Sequence, residues 1–189
     1  MVNVKGRDIA ALLNPRPVAL ITCCNKAGQP NVLSVTWTMP VSHEPPIIAI
    51  SIAPSRHSHD LLLETSEFVL NVVGQSFLKA VETCGNCSGK SADKFAMATL
   101  KTQKSLRVRP PRIAGALGYL ECHIEERRVV GDHSLFLASV LCAEAVENAF
   151  LGVWDAEAGD VLLCRQRDQF GRCEASEREI NGKDGAERA

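Results

Sequence analysis

Apolar and polar positions alternate along this chain in short runs whose period switches repeatedly between two and three to four residues. The apolar, β-branched run Val18–Cys23, the polar Asn25–Gly28 and the alternating Asn31–Thr36 read as a hairpin. Upstream, Ile9, Leu12 and Leu13 share a face, so Arg7–Leu13 predicts a short helix packed on a sheet rim and stopped by Pro15. Pro40, Pro45 and Pro46 punctuate the chain before Ile47–Ile52, whose composition is that of a strand buried on both faces. The polar lead-in SRHSH predicts a helix starting near Ser58 and running to Thr65. Phe68–Val73 returns to strand character, and Ser76–Cys84 forms a second helix that Gly85 would end. Beyond Pro110 and Pro111, Gly118–Val130 and Ser134–Val146 predict a long hairpin around Gly131, Asp132 and His133. Val161–Cys164 is the last apolar run.

Strands outnumber helices and hairpins make most connections, which predicts a mainly β fold, a barrel with peripheral helices. No repeat or linker divides it. Residues 1–164 are expected to form one domain, and the polar stretch 165–189 a poorly ordered tail.

Charge narrows the partners. Lys plus Arg total 21 against 22 for Asp plus Glu, so nothing favours nucleic acid or an anionic membrane surface. No apolar stretch approaches the ~20 residues of a membrane span, and the amino-terminal residues lack a secretory pattern, which together predict a cytoplasmic protein. The eight cysteines then read as reduced thiols, with Cys23, Cys122, Cys142 and Cys164 serving as small buried hydrophobes in strands.

Few motifs carry chemistry on their own. Gly85–Ser91 resembles a P-loop, yet it has three residues between its glycines where that motif needs four, and a helix precedes it. Its hydroxyls, amides and lysine still suit a smaller phosphate. Cys84 and Cys87 form a CxxC pair, but the helix lies before the pair, where it cannot activate a thiolate. No second pair or HxxxH spacing completes a metal site, so no metal is expected. His57, His59 and His133 are placed in loops within reach of a ligand, with His57 and His59 on one side of an extended segment. Nucleophile-elbow, zinc-protease and Rossmann fingerprints are all missing.

The order RPVALITCCNKAGQPNVLSVTW, PPIIAISIAPSRHSHDLLLETSEFVLNV, SGKSADKF, YLEC and GDHSLFLASV, spread from about Arg16 to Val146, resembles the flavin reductase-like FMN-binding family. That resemblance implies a six-stranded antiparallel split β-barrel, a homodimer, and FMN held near the subunit interface. It implies that Ser34, Val35, Thr36, Trp37 and Thr38 line the isoalloxazine, largely through main-chain groups. Ser51, Ile52, Ser55, Arg56, His57 and Ser58 then hold the ribityl chain and phosphate, with Ser88 and Lys94 on a second phosphate-side loop. His133 matches a nicotinamide-side position and is the one candidate for a role in the reaction.

Two electron sources follow from the same resemblance. Hydride from NADH or NADPH makes the protein a flavin reductase, whereas a redox protein partner makes it a flavoredoxin-like carrier. A flavin-binding module without turnover is the non-enzymatic alternative. In none of these must the protein supply an acid–base pair, because the flavin performs the electron chemistry.

Overall fold

The computed structural model of the chain describes residues 1–155, 158–166 and 169–172. A 3-10 helix, Gly6–Leu13, leads into β1 (Arg16–Pro17), β2 (Ala19–Cys24), β3 (Pro30–Val35), β4 (Thr38–Ser42) and β5 (Ile47–Ile52). Then come α1 (His57–Thr65), β6 (Glu67–Val72), a 3-10 turn at Gln75–Phe77 running into α2 (Leu78–Asn86), and α3 (Lys94–Met97). The remaining strands are β7 (Thr102–Gln103), β8 (Arg112–Ile113), β9 (Gly118–Val130), β10 (His133–Ala145), β11 (Leu163–Gln166) and β12 (Gln169–Gly171).

The main sheet is antiparallel with seven strands in the order β3-β2-β6-β9-β10-β5-β4, and it is not closed. This is a split barrel, mainly β with peripheral helices. All six residues of β2 are buried, and the period of two explains how. Ala19, Ile21 and Cys23 join a core with Leu62, Phe68 and Phe136 inside the curved sheet. Val18 and Leu20 point the other way, into a second core closed by Ala80, Val81 and Cys84 of α2 and by Ile113 and Leu162. Each fully buried Phe or Leu contributes roughly 1.5–3 kcal/mol, so the two-sided β2–β6 centre is the most stable part of the fold.

Four expectations need correction. The strand count exceeds six because of β4, which the sequence conceals behind Pro40. An edge strand tolerates a proline, and Pro40 pairs with Ile48 at that edge. The first helix is 3-10, and its apolar face is exposed instead of packed: Ile9, Leu12 and Leu13 are 57, 68 and 71% exposed. Gly85 does not end the second helix, which continues to Asn86 because burial of Ala80, Val81 and Cys84 outweighs the ~1 kcal/mol penalty of an internal glycine. Finally, the boundary after Cys164 falls inside β11, which pairs with β1 and β12 in a small sheet. Of the predicted tail, residues 173–189 lie outside the described residues.

The segment before β8 is tied to the sheet by two carboxylates, Glu67 of β6, which accepts from the Arg109 amide and side chain, and Glu121 of β9. Glu121, fully buried on β9, accepts from the amides of Leu106 (2.9 Å) and Arg107 (2.6 Å) and from Arg112 Nε (2.6 Å). Arg112 also pairs with Glu144 and lies 4.8 Å over the Tyr119 ring. Among the described residues, no helix is long and apolar enough to cross a membrane.

Candidate functional site

Several of the expected site residues, Thr36 to Thr38, Ser51 to Arg56 and His133, lie around the carboxyl end of β5. Thr38 of β4 pairs with Ile50, and Ser134 of β10 pairs with Ile52. The Thr36–Trp37 link and the turn before β10 therefore flank the same strand end, and Ser51 N donates to Trp37 O at 2.9 Å. From that end the chain passes through Ser55 and Arg56 into α1.

An aromatic pair forms one end of the site. The Trp37 indole, 38% exposed, stacks on the His133 imidazole with centroids 4.7 Å apart and an interplanar angle of 27°. Asp132 Oδ1 lies 2.7 Å from His133 Nδ1, so an Nδ1–H donated to this carboxylate leaves Nε2 for a ligand. The Arg16 guanidinium sits 5.8 Å from the Trp37 ring centre.

Polar donors gather at the other end. Ser55 and Arg56 are exposed, and Arg56 precedes α1 in extended conformation with no side-chain cap on the helix amides. Such an uncapped start concentrates positive potential and free N–H groups. Arg56 Nη1 reaches Gly85 O at a long 3.4 Å. Asn31 Nδ2 donates to Ser58 Oγ at 2.6 Å, fixing the first turn of α1 against β3. Gly89 is packed so closely that a Cβ there would fall 2.1 Å from Asn31 Oδ1 and 3.2 Å from His57 Cδ2. A cleft of about 700 Å³ opens beside these groups, lined by Asn31, His57, Gly89, Lys90, Lys94 and Phe95 among others. Within its wall His57 Nδ1 is buried without a hydrogen-bond partner among the described residues.

Other expected residues take different parts. Val35 and Ile52 are buried in the core and can offer only main-chain groups, while Ser34 Oγ donates to Val81 O at 2.6 Å. Ser88 is exposed, and its Oγ accepts from Lys90 N at 3.3 Å. The buried Lys94 ammonium donates to Val32 O (2.9 Å) and Cys84 O (3.0 Å), so it ties α2 and the following loop to β3. Burial lowers its pKa from the ordinary lysine value.

None of the three histidines expected in loops lies in one. His57 and His59 lie in the first turn of α1 and His133 opens β10. Two helical residues turn the side chains by ~200°, so His57 and His59 face different neighbours instead of sharing a side. His59 is buried: Ser134 Oγ accepts from Arg127 Nε at 3.1 Å and can donate its own proton to His59 Nε2 at 2.9 Å. Desolvation lowers the His59 pKa.

Two buried cysteines are held as protonated thiols. Burial pushes the Cys84 thiol up to about 11 and the Cys23 thiol up to about 12. Cys87 caps the end of α2, and Cys23, Cys24, Cys84, Cys87, Cys122 and Cys142 are free thiols. Cys23, Cys122 and Cys164 are buried as expected, whereas Cys142 is half-buried. Sequence reasoning missed Arg16 and Asn31, whose roles depend on contacts across the fold, and marked Gly89 only as a glycine of the Gly85–Ser91 stretch.

Comparison with known proteins bears on this geometry. The family described as flavin reductase like domain matches residues 12–162. An uncharacterized protein of Pyrococcus abyssi, PYRAB12460, is 33% identical over 141 residues, covering 75% of this chain and 80% of that protein. Among solved structures, an FMN-binding protein from Thermus thermophilus with bound p-hydroxybenzaldehyde superposes with a TM-score of 0.81 at 23% identity, covering 92% of this chain and 97% of the other. The NADH:FAD oxidoreductase SgcE6 of Streptomyces globisporus gives 0.76 at 22% identity, covering 93% and 99%. With four-fifths of the chain matched in sequence and the split barrel matched in structure, this protein belongs to the flavin reductase-like family.

Proposed function

We propose that the protein is an oxidoreductase that holds FMN between the start of α1 and the Trp37–His133 pair and takes hydride from NADH or NADPH. The observation that carries this reading is the uncapped, Arg56-flanked start of α1 on the same strand end as an exposed, stacked indole. A phosphate monoester needs concentrated donors and positive potential, and a flavin ring needs a flat apolar neighbour with main-chain polar groups. The orphaned His57 nitrogen and the close-packed Gly89 fit such a cradle.

When bound, FMN supplies the two-electron chemistry. The chain's part is to hold and orient it. Ser55, Arg56 and the α1 amides would hold the phosphate. Asn31 keeps Ser58 in place and Lys94 keeps the 85–94 loop in place. Thr36, Trp37 and Thr38 would border the ring, and His133 would orient the donor. The name of the Streptomyces relative supports NADH as a donor, and that of the Thermus relative supports FMN. The same reading includes a homodimer, supported by Met39 and Val41, which are 57% and 47% exposed on edge strand β4. It also includes a cytoplasmic setting.

Anaerobic mixing of the FMN-loaded protein with NADH or NADPH tests the reaction. Bleaching of the flavin band within seconds is expected; no bleaching with either donor would leave the carrier, reduced by a protein partner. His133→Ala is expected to raise the apparent dissociation constant for the nicotinamide about tenfold, since an aromatic stack contributes ~0.5–1.5 kcal/mol. Stopped-flow reduction and FMN titration on one preparation check this. FMN affinity should stay within about twofold, and unchanged reduction would leave His133 as the first residue of β10 with no part in donor binding.

A further inference from the structure

Arg16 has no part in the cradle described above, yet it is built as an anion site. It lies on β1, half-buried, with its guanidinium 5.8 Å from the Trp37 ring centre. Asn14 Oδ1 accepts from its Nε at 3.0 Å, and among the described residues its two terminal amino groups make no further hydrogen bond. The Asn14 contact holds the side chain along its length and the indole lies on one side of the guanidinium, so the fork is oriented in part before any ligand arrives. The Trp37 ring also stacks on His133. The charge therefore stands at the ring end of the site, where a nicotinamide would enter, and the helix start with Arg56 serves the phosphate end.

We propose that Arg16 binds the pyrophosphate of the incoming nicotinamide dinucleotide. This rests on the reductase reading. In such a donor the pyrophosphate is one ribose away from the reactive ring, and a planar fork donates to two of its oxygens at once. The pyrophosphate is common to NADH and NADPH, so Arg16 aids both and does not discriminate between them. Arg16 is a positioning residue here, since it touches the donor away from the reacting atoms.

Arg16→Met keeps an apolar stem on Trp37 and removes the charge, and Arg16→Lys keeps the charge and removes the fork. Stopped-flow reduction of the FMN-loaded variants should show the apparent dissociation constants for NADH and NADPH both raised about tenfold or more in Arg16→Met, with partial recovery in Arg16→Lys. Added salt should weaken NADH binding less in Arg16→Met than in the parent protein. N-benzyl-1,4-dihydronicotinamide carries no phosphate, and its dissociation constant should not respond to the loss of charge. Equal loss with this donor would overturn the proposal and make Arg16 a support for Trp37. Unchanged NADH and NADPH constants in Arg16→Met, with rapid reduction retained, would overturn it and leave the reductase reading standing. A parent protein that neither NADH nor NADPH reduces would remove both the proposal and the reductase reading.

Discussion

Arg56→Ala is expected to weaken FMN binding about 10- to 100-fold, the effect of removing a charge-assisted hydrogen bond worth ~1.5–3 kcal/mol. The fold should survive. Arg56 is exposed, and its recorded hydrogen bond within the protein is the 3.4 Å approach to Gly85 O, too long to contribute much. Its value therefore depends on a ligand. The α1 amides stay in place in the variant, so binding is weakened and not abolished. Arg56→Lys should fall between the two, because it retains charge without the fork. Flavin fluorescence titration measures all three proteins; an unchanged constant for Arg56→Ala would place the phosphate away from Arg56.

A comparable loss, of stability this time, is expected from Glu121→Ala. The substitution leaves the Arg112 guanidinium and the amides of Leu106 and Arg107 without their shared acceptor inside the sheet. Breaking a buried pair in this way costs about 3–5 kcal/mol. Exposed Glu144 remains beside Arg112 and offsets only part of it. Urea denaturation should show the midpoint lowered with little change in slope.

The same carboxylate predicts a pH dependence. Burial acts to raise the Glu121 pKa, but the Leu106 and Arg107 amides and Arg112 outweigh it, and the folded value lies below the ordinary one. A depressed folded value means that the unfolded chain binds the proton more readily. The contribution of Glu121 is thus fully present above the ordinary carboxylate pKa of ~4.3 and is lost as pH falls through the folded value. Parent protein should lose stability on acidification through that window more steeply than Glu121→Ala.

The fold was legible wherever a strand has two buried faces or a long alternating pattern. Ile47–Ile52 and the Gly118–Val130 strand begin and end where the hydrophobic runs do. β4 was hidden because an edge strand answers to one neighbour only, and Pro40 removes a donor that this edge does not need. Gly85 misled for the reverse reason. Its local penalty is real, but packing across α2 is decided by residues on other strands. In the site, the segments were legible and the side-chain directions were not. Helical turning parts His57 from His59, and Lys94 faces Val32 and Cys84 because those carbonyls lie behind its loop in three dimensions. Arg16 sits beside Trp37 only through the placement of β1 by β11, from the far end of the chain.

Titration of the apoprotein with FMN and with riboflavin tests the account most directly, since the two ligands differ only in the phosphate. The Arg56–α1 cradle predicts FMN binding at least about tenfold tighter than riboflavin, with quenched flavin fluorescence in both complexes. Equal affinity for the two, or protein that cannot be loaded with FMN at all, would contradict a phosphate-anchored flavin at the start of α1.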